Sequence, residues 1–174
     1  MNKITLLTLI GIFVLQPLKA QKDTSQTTYY LIRHAEKLRT NPSESDPDLS
    51  AIGILRAHKW NEVFKYIAFD EIYSTNYKRT INTSKPIADK HQLTIKTYNS
   101  KTIDYKLFKE STQYKTVLIV GHSNTIPDFV NALIEDKKYD EIDDSNNSNL
   151  YIVTIKNGHI THVLIHINIE CYNE

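Results

Sequence analysis

Two arginines and two histidines, each set just beyond a short apolar run, are the residues of this chain whose types and spacing could do chemistry. Tyr29 to Ile32 leads into Arg33-His34, Ile72-Tyr73-Ser74 leads towards Arg79, and Val117-Leu118-Ile119-Val120 runs into Gly121-His122-Ser123-Asn124. A histidine with one unprotonated ring nitrogen is a phosphoryl nucleophile, and it titrates near neutral pH. A metaphosphate-like transition state spreads negative charge over three equatorial oxygens and needs rigid cationic donors around it. Arginine supplies such donors as forked, bidentate contacts. On this reading His34 is the nucleophile, and Arg33, Arg79 and His122 form the phosphate pocket, His122 as a further donor once protonated. Gly121 allows close backbone approach, and the helix expected after it points its N-terminus at the anion.

These side chains need strand ends to converge. Thr28 to Ile32, Glu71 to Ser74, Leu93 to Thr97 and Thr116 to Val120 read as strands, the last one apolar throughout, as a central parallel strand buried on both faces would be. Helices are expected from Ser50 (an N-cap) to about Tyr66, from Arg79 or Thr80 to about Lys90, from Ile103 to Tyr114, and from Ile126 to Ile134 with Pro127 in its first turn. The first should bury Ile52, Leu55, Val63, Phe64 and Ile67, and Pro86 should kink or shorten the second. In the third, Ile103, Leu107 and Phe108 should point inward. Tyr151 to Lys156 and His159 to Ile167, joined by Asn157-Gly158, form a hairpin. The order implies a three-layer α/β/α sandwich with a mainly parallel central sheet and an antiparallel C-terminal hairpin at its edge. In open sheets of this kind ligands bind beyond the carboxyl ends of the strands.

The remaining features narrow the setting. Met1-Asn2-Lys3, the apolar stretch Ile4 to Leu15 and Leu18-Lys19-Ala20 have the layout of a secretory signal peptide, with cleavage expected after Ala20 and export to the periplasm or medium. An apolar stretch of 12 residues is short of the roughly 20 that a span requires; retention as an anchor stays open. Of 21 basic residues Lys3 and Lys19 go with the signal, so residues 21–174 set 19 basic against 20 acidic side chains and form one expected domain. That balance suggests neither nucleic acid nor an anionic membrane as partner. The single Cys171 cannot form an internal disulfide, so stability must come from the core. His159, His162 and His166 invite a metal reading, but strand positions 162 and 166 lie about 13 Å apart, too far to share an ion. The run Glu135 to Asp144 reads as a solvated acidic loop. Arg56 reads as an ion-pair residue. Glu36 reads as a pocket or loop carboxylate, and Ser123 and Asn124 as phosphate donors or helix caps.

Leu-Ile-Arg-His-Ala-Glu at 31–36, Leu-Ser-Ala-Ile-Gly-Ile-Leu-Arg-Ala at 49–57, Ile-Tyr-Ser-Thr-Asn-Tyr-Lys-Arg-Thr at 72–80 and Val-Leu-Ile-Val-Gly-His-Ser-Asn at 117–124 together resemble the histidine phosphatase superfamily. That group includes cofactor-dependent phosphoglycerate mutases and small bacterial phosphohistidine phosphatases. The resemblance implies a phosphohistidine on His34, two-step hydrolysis of a small phosphorylated substrate, no metal and no cofactor, with Arg33, Arg79 and His122 at the phosphate-binding positions. Ser123 stands where the other branch of the superfamily has an aspartate, so branch 1 is implied. Ala35 stands where many members have glycine. The proton donor is the open position: Asp104 and Glu110 are the acids of the segment 98–110, neither in a clear motif match, with Asp104 the first choice. A site without a dedicated acid favours good leaving groups such as a phosphohistidine or an acidic phosphate ester. The alternatives are a non-catalytic phosphate-binding module of the same fold and a mutase-type phosphotransferase; the oligomeric state and physiological substrate are open.

Overall fold

Val117, Leu118, Ile119 and Val120 are all fully buried, and their strand lies well inside the sheet. In the computed structural model, which describes residues 25–169, the chain runs β1 (Gln26–Arg33), α1 (Ala51–Val63), β2 (Glu71–Thr75), α2 (Lys78–His91), β3 (Ile95–Tyr98), α3 (Tyr105–Ser111), β4 (Thr116–Gly121), α4 (Thr125–Ile134), β5 (Asn149–Lys156) and β6 (His159–His166). The signal peptide expected at 1–20, its cleavage point and Cys171 lie outside the described residues. No helix among those described is long and apolar enough to cross a membrane.

The six strands are ordered β3-β2-β4-β1-β5-β6. The pairs β1–β4, β2–β4 and β2–β3 are parallel, and β1–β5 and β5–β6 are antiparallel. Strand alternation divides the core in two. Tyr29, Leu31, Val117 and Ile119 pack with Phe108 of α3 and Ile126, Phe129, Val130 and Leu133 of α4. Ile32, Ile72, Leu118 and Val120 pack with Trp60 and Phe64 at α1 and Ile87 and Ala88 of α2. Each buried side chain of this size contributes about 1.5–3 kcal/mol. Asn157 and Gly158 both have positive φ, 50° and 79°, as the two-residue hairpin turn requires.

Three local readings are corrected. In α1, Ile52 and Leu55 are half exposed, at 50% and 58%, and the buried positions are Gly53, Arg56, Ala57 and Trp60. The helix docks through Gly53 onto the backbone of Glu36, where an added Cβ would stand 2.0 Å from the carbonyl oxygen. Of the kink or shortening expected at Pro86, the shortening does not occur, and α2 continues to His91. The third helix is only Tyr105–Ser111, with Leu107 60% exposed and Phe108 turned inward.

Candidate active site

Register brings the two histidines together. Arg33 pairs with Gly121 across β1 and β4, and the His34 amide donates to the Gly121 carbonyl at 2.9 Å. Two parallel neighbours that end at the same level deliver His34 and His122 side by side, with ring centroids 5.4 Å apart. Adjacent β2 ends at Thr75, and the following turn starts α2, whose second residue is Arg79. The result is a cleft of about 310 Å³ lined by Arg33, His34, Lys37, Tyr77, Arg79, Ser100, Lys101, His122, Ser123, Asn124, Thr125 and Asp144. Gly121 is required here, since an added Cβ would stand 2.8–3.0 Å from Tyr98 Oη, Thr125 Oγ1 and Ile126 Cδ1.

The tautomers follow from hydrogen-bond chemistry. His34 Nδ1 lies 2.7 Å from the Ala35 carbonyl, which can only accept, so Nδ1 carries the proton and Nε2 keeps its lone pair. Burial lowers the His34 pKa to about 3; the Ala35 bond opposes that, and Arg33, His122 and Arg79 reinforce it. For His122 the argument passes through two threonines. Thr80 Oγ1 donates to the carbonyls of Thr75 and Tyr77, and Thr75 Oγ1 donates to Thr80 Oγ1 at 3.0 Å. Thr75 Oγ1 is left to accept from His122 Nε2 at 2.9 Å, while His122 Nδ1 faces Arg79 Nη2 at 3.5 Å. Burial lowers the His122 pKa to about 4, with Arg79, Arg33 and Lys37 adding to the effect and Asp46 opposing it.

The two arginines are held from behind. Arg33, 2% exposed, donates through Nη1 to the carbonyls of Asp143, Asp144 and Asn146 at 2.8–3.1 Å and through Nη2 to the Asp144 carboxylate at 2.7 Å. Arg79 lies 4.5 Å over the Tyr77 ring and 3.5 Å from Asp46. Of the five buried side-chain polar atoms without a partner among the described residues, two are Arg33 Nε and Arg79 Nε. An orphaned buried N–H costs about 1–3 kcal/mol. Such donors beside an unprotonated imidazole nitrogen describe an anion site.

Residues 29–100, which include Arg33, His34 and Arg79, match the family model of the histidine phosphatase superfamily, branch 1. Solved structures extend the likeness in fold over most of the chain. The alpha-ribazole phosphatase from Shigella flexneri is 15% identical with a TM-score of 0.64, covering 83% of this chain and 100% of its own. The protein histidine phosphatase SixA complexed with tungstate is 17% identical with a TM-score of 0.62, covering 80% and 96%. The phosphoglycerate mutase from Bacillus anthracis is 15% identical with a TM-score of 0.62, covering 83% and 94%. No curated protein sequence matches the chain significantly.

Within this histidine phosphatase fold, Arg33, His34, Arg79 and His122 line one cleft. Asp104 and Glu110 do not join them. Asp104 caps α3, its carboxylate accepting from the amides of Lys106 and Leu107, and Glu110 lines a separate cleft with Thr27 and Tyr29. Both are therefore dropped as proton donors. Among the described residues the one carboxylate lining this cleft is Asp144, which its bonds to Arg33 and then Arg39 hold below the ordinary carboxylate pKa, so it is ionised and no proton source. Ser123 donates to Glu141, and Asn124 makes no side-chain cap bond. Glu36 is bound by Arg56 at 2.7–2.9 Å, as an ion pair.

Four supporting residues are given no role at the site by the sequence reading. Thr83 Oγ1 accepts from the Ala35 amide and donates to the Arg79 carbonyl, tying the loop after His34 to α2. Asn147 donates to the His34 carbonyl at 2.8 Å. Thr75 fixes His122, and Asp144 with its neighbours holds Arg33. A visible signal exists for one group: Thr80, Thr83 and Ser84 put three hydroxyls on one side of α2, and all are fully buried.

Proposed function

We propose that this chain is an exported phosphatase that hydrolyses a small phosphorylated substrate, a phosphomonoester or phosphoramidate, through a phosphohistidine on His34 Nε2, with no step routed through a metal. The observation that carries the reading is the pairing of a lone-pair nitrogen on His34 with the partnerless buried Nε groups of Arg33 and Arg79. Export rests on the signal-like residues 1–20.

In the first step Nε2 forms a bond to phosphorus while the bond to the leaving oxygen or nitrogen breaks, its electron pair departing with the leaving group. Arg33 and Arg79 stabilise the equatorial oxygens, and His122 adds a donor through Nδ1 once that atom is protonated. In the second step water attacks the phosphohistidine, Nε2 recovers its lone pair, and both water protons leave on dihydrogen phosphate, which then protonates the departed group. Because Asp144, the one carboxylate that lines the cleft among the described residues, is ionised, substrates whose leaving group departs easily are favoured, phosphohistidine and acidic phosphate esters among them.

The test is hydrolysis of an aryl phosphate by the purified protein and by His34→Ala, from pH 4 to 8 with a chelator present. Activity that survives chelation and disappears in His34→Ala supports the proposal. Absence of activity in both, with phosphate still protecting the fold against heat, would replace it with a phosphate-binding module.

A further inference from the structure

The cleft carries more positive charge than a phosphate needs. Its lining includes Arg33, Arg79, Lys37 and Lys101 against the single carboxylate Asp144. Arg39, paired with Asp144, and Asp46, paired with Arg79, cancel one another just outside it. The balance is three positive charges. A phosphomonoester dianion neutralises two and leaves one.

The surplus is in a definite place. Arg33 and Arg79 flank the histidines, whereas the Lys37 and Lys101 ammonium groups have no acceptor among the described residues. Their backbones are anchored: Lys37 bridges buried Leu49, and the Lys101 amide donates to Asn99 Oδ1 in the turn after β3. Lys37 leaves the sheet after β1 and Lys101 after β3, and β2 and β4 lie between those strands. The two lysines therefore reach from opposite sides of the strand ends into the cleft that Arg33, His34, Arg79 and His122 also line. Unpaired ammonium groups on the rim of a low-dielectric anion site steer and hold a second negative group.

Building on the hydrolase reading above, we propose that Lys37 and Lys101 form a second anion subsite, and that the substrate is a small phosphomonoester whose leaving group carries a carboxylate or an equivalent single negative charge.

The test uses the purified protein with 4-carboxyphenyl phosphate and 4-carbamoylphenyl phosphate, which differ by one charge at nearly constant size. The carboxylate ester should have the higher kcat/KM by about tenfold at low ionic strength, residing mainly in KM, because each partly exposed ion pair is worth little alone. The preference should shrink as salt approaches about 1 M. In Lys37→Gln/Lys101→Gln the ratio of the two kcat/KM values should fall to about one. The ratio is the readout, since general damage to the site lowers both values together. A ratio near one in the unmodified protein, or one that persists in the double variant or at high salt, overturns the subsite. If neither ester is hydrolysed the hydrolase reading fails, and calorimetric binding of 4-carboxybenzylphosphonate and 4-carbamoylbenzylphosphonate then decides the subsite separately. A carboxylate preference that vanishes in the double variant upholds it, and equal affinities overturn it.

Discussion

Burying two neutral histidines beside two arginines makes the fold itself sensitive to pH. The folded pKa values of about 3 for His34 and about 4 for His122 lie below the ordinary histidine value of 6.5 that each regains on unfolding. Between pH 6.5 and pH 4 the unfolded chain therefore binds up to two protons that the folded protein refuses, so stability rises with pH across this window and is lost as pH falls. Each refused proton is worth about 1.4 kcal/mol per pH unit, which gives an upper bound of about 4 kcal/mol lost by the pair between pH 6.5 and 5.0. Against a total stability of about 5–15 kcal/mol, that loss is large. The carboxyls of Asp48, Asp144 and Glu71 are held below their ordinary range and have the same sign, but their contribution is lost at lower pH, as they too become protonated. The single tryptophan, Trp60, is fully buried and reports unfolding by fluorescence. Urea unfolding at pH 6.5 and 5.0 should show the loss in the unmodified protein and a much flatter dependence in His34→Asn/His122→Asn. Parallel pH dependences in the two proteins would show that these histidines are not held neutral by the fold, and the tautomer argument for His34 Nε2 would fall with them.

Gly53→Ala drives a methyl group into the Glu36 carbonyl oxygen, which is backbone and cannot swing aside; a loss of about 3 kcal/mol and a calorimetric Tm lower by about 6–12 °C are expected. Thr75→Val removes the acceptor for His122 Nε2 while keeping the side chain's shape, so kcat for an aryl phosphate should fall about tenfold and Thr75→Ser should restore it, as kinetics on the three proteins will show.

The sheet and the four cleft residues are legible in the sequence for the same reason. β4 is apolar from Val117 to Val120 because both of its faces are covered, and the polar residue of the site follows where that run ends, at His122. The same holds for β1 and Arg33-His34. What is not legible is the layer that holds these residues. α1 misleads because its aliphatic residues Ile52 and Leu55 face outward, while its contact with the site is made by a glycine and an arginine. Periodicity weighs side-chain hydrophobicity, whereas Gly53 matters through the absence of a side chain. Asp104 misleads for another reason: its distance along the chain from Arg79 suits a proton donor, but the same residue type caps helices, and in α3 it does so.

The acidic run before β5 shows most clearly why composition misreads the site. Counted by charge, Glu135 to Asp144 should repel a phosphate. Counted by atom, this run and the asparagine turn after it give Arg33 Nη1 three backbone carbonyls and only one carboxylate, to Nη2. Carbonyl dipoles fix a guanidinium without cancelling its charge, and the one carboxylate they bring is itself neutralised by Arg39. The loop thus spends oxygen atoms on geometry while leaving the cleft cationic, an arrangement that total charge cannot reveal and that an anion-binding site requires.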